Sequence, residues 1–350
     1  MTELKVLRPI IDKGIKVNTI LLLLTLFSCN ADTGNENTVK IKRLPNNPII
    51  SPAMSATIGD NINGPSLIRV PSWVEKPLGR YYLYFSHHKG KYIRLAYADQ
   101  VSGPWTIYEP GALSLQDSGF PIKVDESRLT GTQRQRLQSI RDAGYGYTHI
   151  ASPEVVVIPE KQEVRLYYHG MMETGEQATR AASSRDGLHF TSQPDVITRP
   201  YLRVFQWRGY FYGMAMPGIF YRSKDGLTDF EKGPDLFNPD MRHAGLMVRD
   251  ETLFVFWTQV ADAPERILLS SIDISSDWVD WKASEPIDVL RPEEKWEGAH
   301  LPVEASSRGA IEVPVNQLRD PEIFEEDNRT WLLYSVAGES GIAIAEIEQM

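Results

Sequence analysis

The sequence has a single cysteine in 350 residues, so no disulfide can form within the chain. It lacks an excess of positive charge: 37 lysines and arginines stand against 46 aspartates and glutamates, a net charge of −9. A nucleic-acid binder needs a basic face to neutralise phosphates, and this balance argues against that class. It also lacks a comfortable membrane span, which takes about 20 apolar residues. The run TILLLLTLFSC stops at Cys29, too soon to cross. What is there is 42% hydrophobic residues with 25 glycines and 23 prolines. That is enough core for one large or two smaller domains, with many turns.

Lys5, Arg8, Lys13 and Lys16 precede the apolar run, the layout of a secretory signal. The motif LFSC resembles a bacterial lipobox. The resemblance implies that Cys29 is the lipidated first residue of an exported lipoprotein, held at the membrane of the cell envelope. The polar stretch NADTGNENT then reads as a tether. Residues 1–28 are the expected leader, and residues 29–45 the tether with a closing strand. Cutting before Cys29 removes four basic and two acidic residues and takes the net charge from −9 to −11.

From about residue 46 the chain repeats itself. An apolar strand is followed by an aromatic strand, a third with small residues, then a turn and a short Trp or Phe strand. GPSLIRV, RYYLYFS, YIRLAYAD and GPWTIY form the first copy. Later copies open on SPEVVVI, YLRVFQW, HAGLMVR and DPEIFEE, and the last lacks its fourth strand. Each segment is short, rich in β-branched and aromatic residues, and bounded by turn formers. SRDGLHF and SKDGLTDF place an Asp-Gly turn at the same point of consecutive copies, as hairpins favour. Four antiparallel strands repeated around an axis predict an all-β, five-bladed β-propeller with a central channel. The expected blades cover residues 61–110, 149–195, 199–235, 241–283 and 317–350. The segment TVKIKRLPNNPIISP is the candidate for the missing strand. Two insertions, residues 115–147 with a short helix in TGTQRQRLQSIRD and residues 289–316, are candidates to carry function.

The first strand of each blade lines the channel, so polar residues at its start converge on one mouth. Those residues are Asp60, Asn61 and Asn63; His149, Ser152 and Glu154; Arg203; Arg242 and His243; and Arg319, Asp320 and Glu322. Asp320 and Glu322 are two apart, which puts them on one face of a strand, with Pro321 and Ile323 on the other. The GESG at 338–341 reads as a turn between strands.

RDPEIF, ASPEVVV, the S-x-D-G-L turns and the blade count resemble the five-bladed β-propeller glycosidases. That group takes in glycoside hydrolase families 43, 62, 117 and 130 and the invertase-like enzymes. The resemblance implies hydrolysis of a glycosidic bond by carboxylates at the channel mouth. Such chemistry needs one carboxyl to protonate the leaving oxygen and another to activate water or attack the sugar. Asp320 is expected as base or stabiliser, and Glu154 or Glu304 as acid, with Glu322 and Asp60 as further candidates. The pattern breaks at the first blade: where many of these enzymes carry an aspartate, GDNINGPS presents Asn63 next to Gly-Pro.

Asn63, His87, His88, Arg94, His149, Arg203, Arg242, His243 and Arg319 are the candidate substrate contacts. Guanidinium groups bind carboxylate and sulfate in a planar fork. Several of them in an acidic protein suggest an anionic sugar, unless each pairs with a blade-start carboxylate. No cofactor is expected, although among relatives His243 would have a channel cation to face. A polysaccharide lyase with Tyr145, Tyr147 or His149 as base, and a glycan-binding propeller without activity, are the competing readings.

Overall fold

The structure, a computed structural model, describes residues 39–142, 144 and 146–350. The leader and Cys29 lie outside the described residues, as does Tyr145. The strands form five four-stranded antiparallel sheets, the five-bladed propeller that the repeat predicts. The inner strands are Asn63–Arg69, Ile150–Ile158, Arg203–Trp207, Met241–Arg249 and Arg319–Glu326, in blades I to V. Each packs beside the next, and the last packs against the first, which closes the ring.

Second strands such as Tyr81–Ser86 and Arg329–Ser335 are buried over nearly their whole length, because a neighbouring sheet covers each face. Hence they read as continuous apolar runs rather than alternating ones. Their tyrosines reach into the next blade. The Tyr84 hydroxyl donates to the Gly187 carbonyl at 2.7 Å, and Tyr167 to Gly226 at 2.8 Å. In both acceptor loops an aspartate side chain holds the turn. Asp186 takes the N–H groups of Leu188 and His189, and Asp225 those of Leu227 and Thr228. The expected tight hairpins are therefore longer loops capped by aspartate.

The outer strands also differ from expectation. Blade II has only Thr191–Ser192, and blade IV uses Ile287–Leu290. DWVDW in blade IV is no strand. It contains a 3-10 turn over Trp278–Asp280, and Trp278 and Trp281 pack on Tyr212 of blade III at 5.7 and 5.2 Å. Aromatic spacing there marks burial, not extension. The predicted helix is present as Gly131–Asp142.

Lys40–Arg43 pairs antiparallel with Ile342–Gln349 and completes blade V. Arg43 fastens it. Its Nε lies 2.8 Å from Oε1 of the fully buried Glu297, and its Nη1 lies 2.7 Å from Glu293. Glu297 also accepts the Tyr334 hydroxyl and the N–H groups of Glu293 and Glu294. Arg43→Ala leaves this carboxylate buried without its cation. The expected loss is about 2–3 kcal/mol, below the 3–5 of a wholly buried pair because Arg43 is partly exposed. Urea titration of the variant against wild type checks it.

Candidate active site

Four inner strands enter the channel through an irregularity. Pairing shifts register between Asn63 and Ser66, Ala151 and Glu154, Met241 and Ala244, and Arg319 and Glu322. At this point Gly64, Ser152 and Asp320 take φ of +60°, +49° and +48°, each just before a proline, and Tyr201 takes +61° in blade III. A left-handed residue other than glycine costs about 1–3 kcal/mol, and such strain collects at functional sites. The bulge re-aims the side chains. Asp320 and Glu322, expected to act together, are sent to different layers of the channel.

The first layer is a buried cluster around one arginine. Arg203 Nη1 lies 2.8 Å from Glu154 Oε2 and 3.7 Å from Glu322 Oε2, and its Nε donates to the Ala244 carbonyl. Glu154 also accepts the Val204 N–H. Burial raises the pKa of Glu154 against the pull of Arg203, and raises Glu322 further with the repulsion of Glu154 added. Two carboxyls share one cation in a dry place, so they hold a proton. Neither carboxyl is among the residues that line the mouth cavity.

The outer layer forms the mouth. Asp320 is buried, with Oδ1 2.7 Å from His243 Nδ1 and Oδ2 accepting the Ser335 hydroxyl at 3.0 Å. The histidine contact is close but not aligned as a hydrogen bond. Burial pushes the Asp320 pKa up, but His243 outweighs it and holds the carboxylate below its usual range. Burial lowers His243 despite Asp320. Beside them runs a chain of alternating charge. His88 Nδ1 stands 3.4 Å from Glu339, Arg319 bridges Glu339 at 2.9 Å and Glu265 at 3.2 Å, and Arg242 reaches Glu265 at 3.4 Å. Asn61 and Asn63 donate to the second oxygen of Glu339. Burial would raise Glu339, yet His88 and Arg319 pull it well below the ordinary value. A row of rings completes the rim: His149 to His169 at 5.3 Å, His169 to Tyr201 at 4.2 Å, Tyr201 to His243 at 5.0 Å. His149 gives Nδ1–H to the Tyr147 carbonyl, and burial lowers its pKa to about 4.

Above this layer opens a cavity of about 280 Å³, reached by His88, Tyr201, Arg242, His243 and Arg308. An open cleft of about 570 Å³ lies between blades II and III around Arg136 and Arg199. It is larger but holds no histidine or buried carboxylate, so chemistry favours the smaller one.

Several sequence-predicted residues fall elsewhere. Asp60 and Glu304 are exposed, and no hydrogen bond or ion pair ties either to the mouth among the described residues. Arg94 is spent on the Asn61 and Ser86 carbonyls, and Arg203 and Arg319 on buried carboxylates. Half-buried His87 accepts the Lys89 N–H. Asn63 orders Glu339 rather than substrate, and the position matching Asp320 in blade I is Gly64. A Cβ there would meet the Ser152 Cα at 3.3 Å, so the close blade contact leaves little room for a carboxylate. Glu265, Glu339, Tyr201 and His169 were missed. Glu339 sits in the GESG segment read as a plain turn. His169 had a signal: it pairs with Ala151 of its inner strand at the register where Ser86 pairs with Asn63 and Ser335 with Arg319. Among the described residues there is no group of three or more His, Cys, Asp or Glu that could hold a metal ion, and His243 stands against Asp320.

Comparison with known proteins agrees with the fold. The chain is 33% identical to the uncharacterized protein R118 of Acanthamoeba polyphaga mimivirus, over 94% of this chain and 96% of that one. It belongs to the family of that protein. No family model matches. Among solved structures, a glycosyl hydrolase from Bacteroides ovatus has a TM-score of 0.57 at 12% identity, covering 88% of this chain and 93% of its own. CoXyl43, a GH43 β-xylosidase/α-arabinofuranosidase from a compost microbial metagenome, has a TM-score of 0.52 at 12% identity, over 84% and 95%. A GH43_1 enzyme from Xanthomonas citri gives 0.53 at 11% identity, over 83% and 89%. The family thus shares the fold of the five-bladed propeller glycosidases.

The buried cluster gives a signed expectation. Glu322 binds its proton more tightly folded than unfolded. Its stabilising contribution is complete below the ordinary glutamate pKa of about 4.3 and is lost as pH rises through the raised value. Glu322→Gln removes that loss. Its stability relative to wild type should grow by about 1 kcal/mol or more between pH 4.5 and pH 8, read by urea unfolding at both.

Proposed function

We propose that this protein is a glycoside hydrolase acting on an oligosaccharide or polysaccharide end held in the mouth cavity. The observation that carries it is Asp320, a strained, buried, ionised carboxylate set against His243 beneath a cavity in a glycosidase-type propeller. The cavity lies near the lower end of the ~300–1,000 Å³ of small-molecule sites, which suits a single sugar ring at a chain end. The fold supports the reading, and so does what similar structures hold: the Xanthomonas citri enzyme was solved with xylotriose and with xylose.

The finer proposal of an anionic sugar rests on Arg242 and Arg308, the two arginines that reach the cavity. Arg242 also pairs with Glu265, and Arg308 with Asp240. A lyase needs a base near a uronate, and neutral His149, with Nε2 buried and unpartnered, favours it as the second reading.

Incubation with neutral, uronate-containing and sulfated oligosaccharides tests these readings together. New reducing ends without ultraviolet absorbance are expected, with Asp320→Asn slowed by about 10²–10⁴-fold. Products that absorb would indicate the lyase. Binding without turnover would indicate a glycan-holding propeller. The same proposal places the protein outside the cytoplasm, tethered through Cys29. Expressed in a bacterium, the chain should take up labelled fatty acid, and Cys29→Ser should not.

A further inference from the structure

Blade V supplies Asp320 and Glu339, and the blades on either side of it supply one histidine each. His243 of blade IV meets Asp320 through Nδ1, and His88 of blade I stands against Glu339 through Nδ1. Both histidines reach the same cavity, while Asp320 and Glu339 lie behind them. Each carboxylate faces Nδ1 of its imidazole, at 2.7 Å for His243 and 3.4 Å for His88, which leaves Nε2 as the nitrogen that can meet a substrate. Carboxylates are the usual pair for cutting a glycosidic bond, yet here no carboxylate reaches the cavity directly.

We propose that His243 and His88 are the base and the acid of the hydrolytic step, with Asp320 and Glu339 as their positioning residues. The inference rests on the hydrolase reading. Charge supports it. Of the mouth side chains in mutual contact, Asp320, Glu265 and Glu339 are carboxylates, and Arg242 and Arg319 are guanidiniums. One negative charge is left over. A single added proton neutralises the mouth, which is what one acid and one base together carry. Burial lowers the pKa of His243, which suits the base, and His88 stands against Glu339.

The step balances. Water gives a proton to Nε2 of His243 as its oxygen bonds to the anomeric carbon. The glycosidic C–O bond breaks, its electron pair stays on the leaving oxygen, and that oxygen takes the proton from Nε2 of His88. Exchange with solvent returns one proton to His88 and removes one from His243. A single displacement inverts the anomeric centre.

The test compares two leaving groups in wild type, His88→Asn and His243→Asn. One substrate is the oligosaccharide that the panel identifies, and the other is the 2,4-dinitrophenyl glycoside of its terminal sugar, whose leaving group needs no proton. His88→Asn should slow the oligosaccharide by about 10²-fold or more and the aryl glycoside by less than about 5-fold. Near-normal aryl hydrolysis also shows that the variant is folded. His243→Asn should slow both substrates, and proton NMR of the first product formed should show inversion. A His88→Asn chain that treats both substrates alike, or a product of retained configuration, overturns this inference alone. A wild type that cuts neither substrate overturns the hydrolase reading and this inference with it.

Discussion

The mouth of this propeller depends on one chain of charges: His88, Glu339, Arg319, Glu265 and Arg242, running across blades I, V and IV. The side chains of Arg319, Glu339 and Glu265 are wholly buried. Desolvating such ions costs several kcal/mol each, and only mutual pairing with further hydrogen bonds repays it. Gln317, Asn61 and Asn63 supply those bonds. No single blade could hold the chain, because its members come from three. The ring must close before the charges can pair, and the paired charges then fix how the blades meet.

The same constraint explains why the mouth differs from the layer below. In the lower layer Arg203 faces two glutamates, and burial drives a proton onto the pair. In the upper layer His88 and Arg319 keep Glu339 ionised, and His243 keeps Asp320 so. One channel thus carries protonated and ionised carboxyls a bulge apart. The left-handed turn at Asp320 separates the two layers, and its strain is of the kind kept where geometry serves a function.

The exposed insertions matter through their backbone as much as their side chains. Carbonyls of Ser307 and Gly309 accept from Arg242, and that of Gly309 also from Arg319, so the loop before blade V roofs the charge chain. Glu297 in the same insertion takes Arg43 and Tyr334, which ties the closing strand to the segment beside the site. Ring closure and site assembly are therefore mechanically one event.

By itself the sequence determined the architecture. Short β-branched and aromatic strands, repeated with an aspartate turn at the same point of two copies, leave few all-β alternatives, and strand pairing follows from local pattern. It also brought Asp320, Arg242 and His243 to notice, because polar residues at strand starts stand out against an apolar repeat, and it offered His88 among the candidate substrate contacts. What it could not show was which of these face the cavity and which are consumed in pairing. Alternation placed Asp320 and Glu322 on one face, but the bulge depends on contacts with the neighbouring blade, and it parted them. Glu265 and Glu339 sit in loops that carry no repeat signal. Arg203 and Arg319 read as substrate contacts until burial showed their partners. Only the tertiary structure decided these points, because charge pairing is a property of residues far apart in sequence and brought together by closure of the ring.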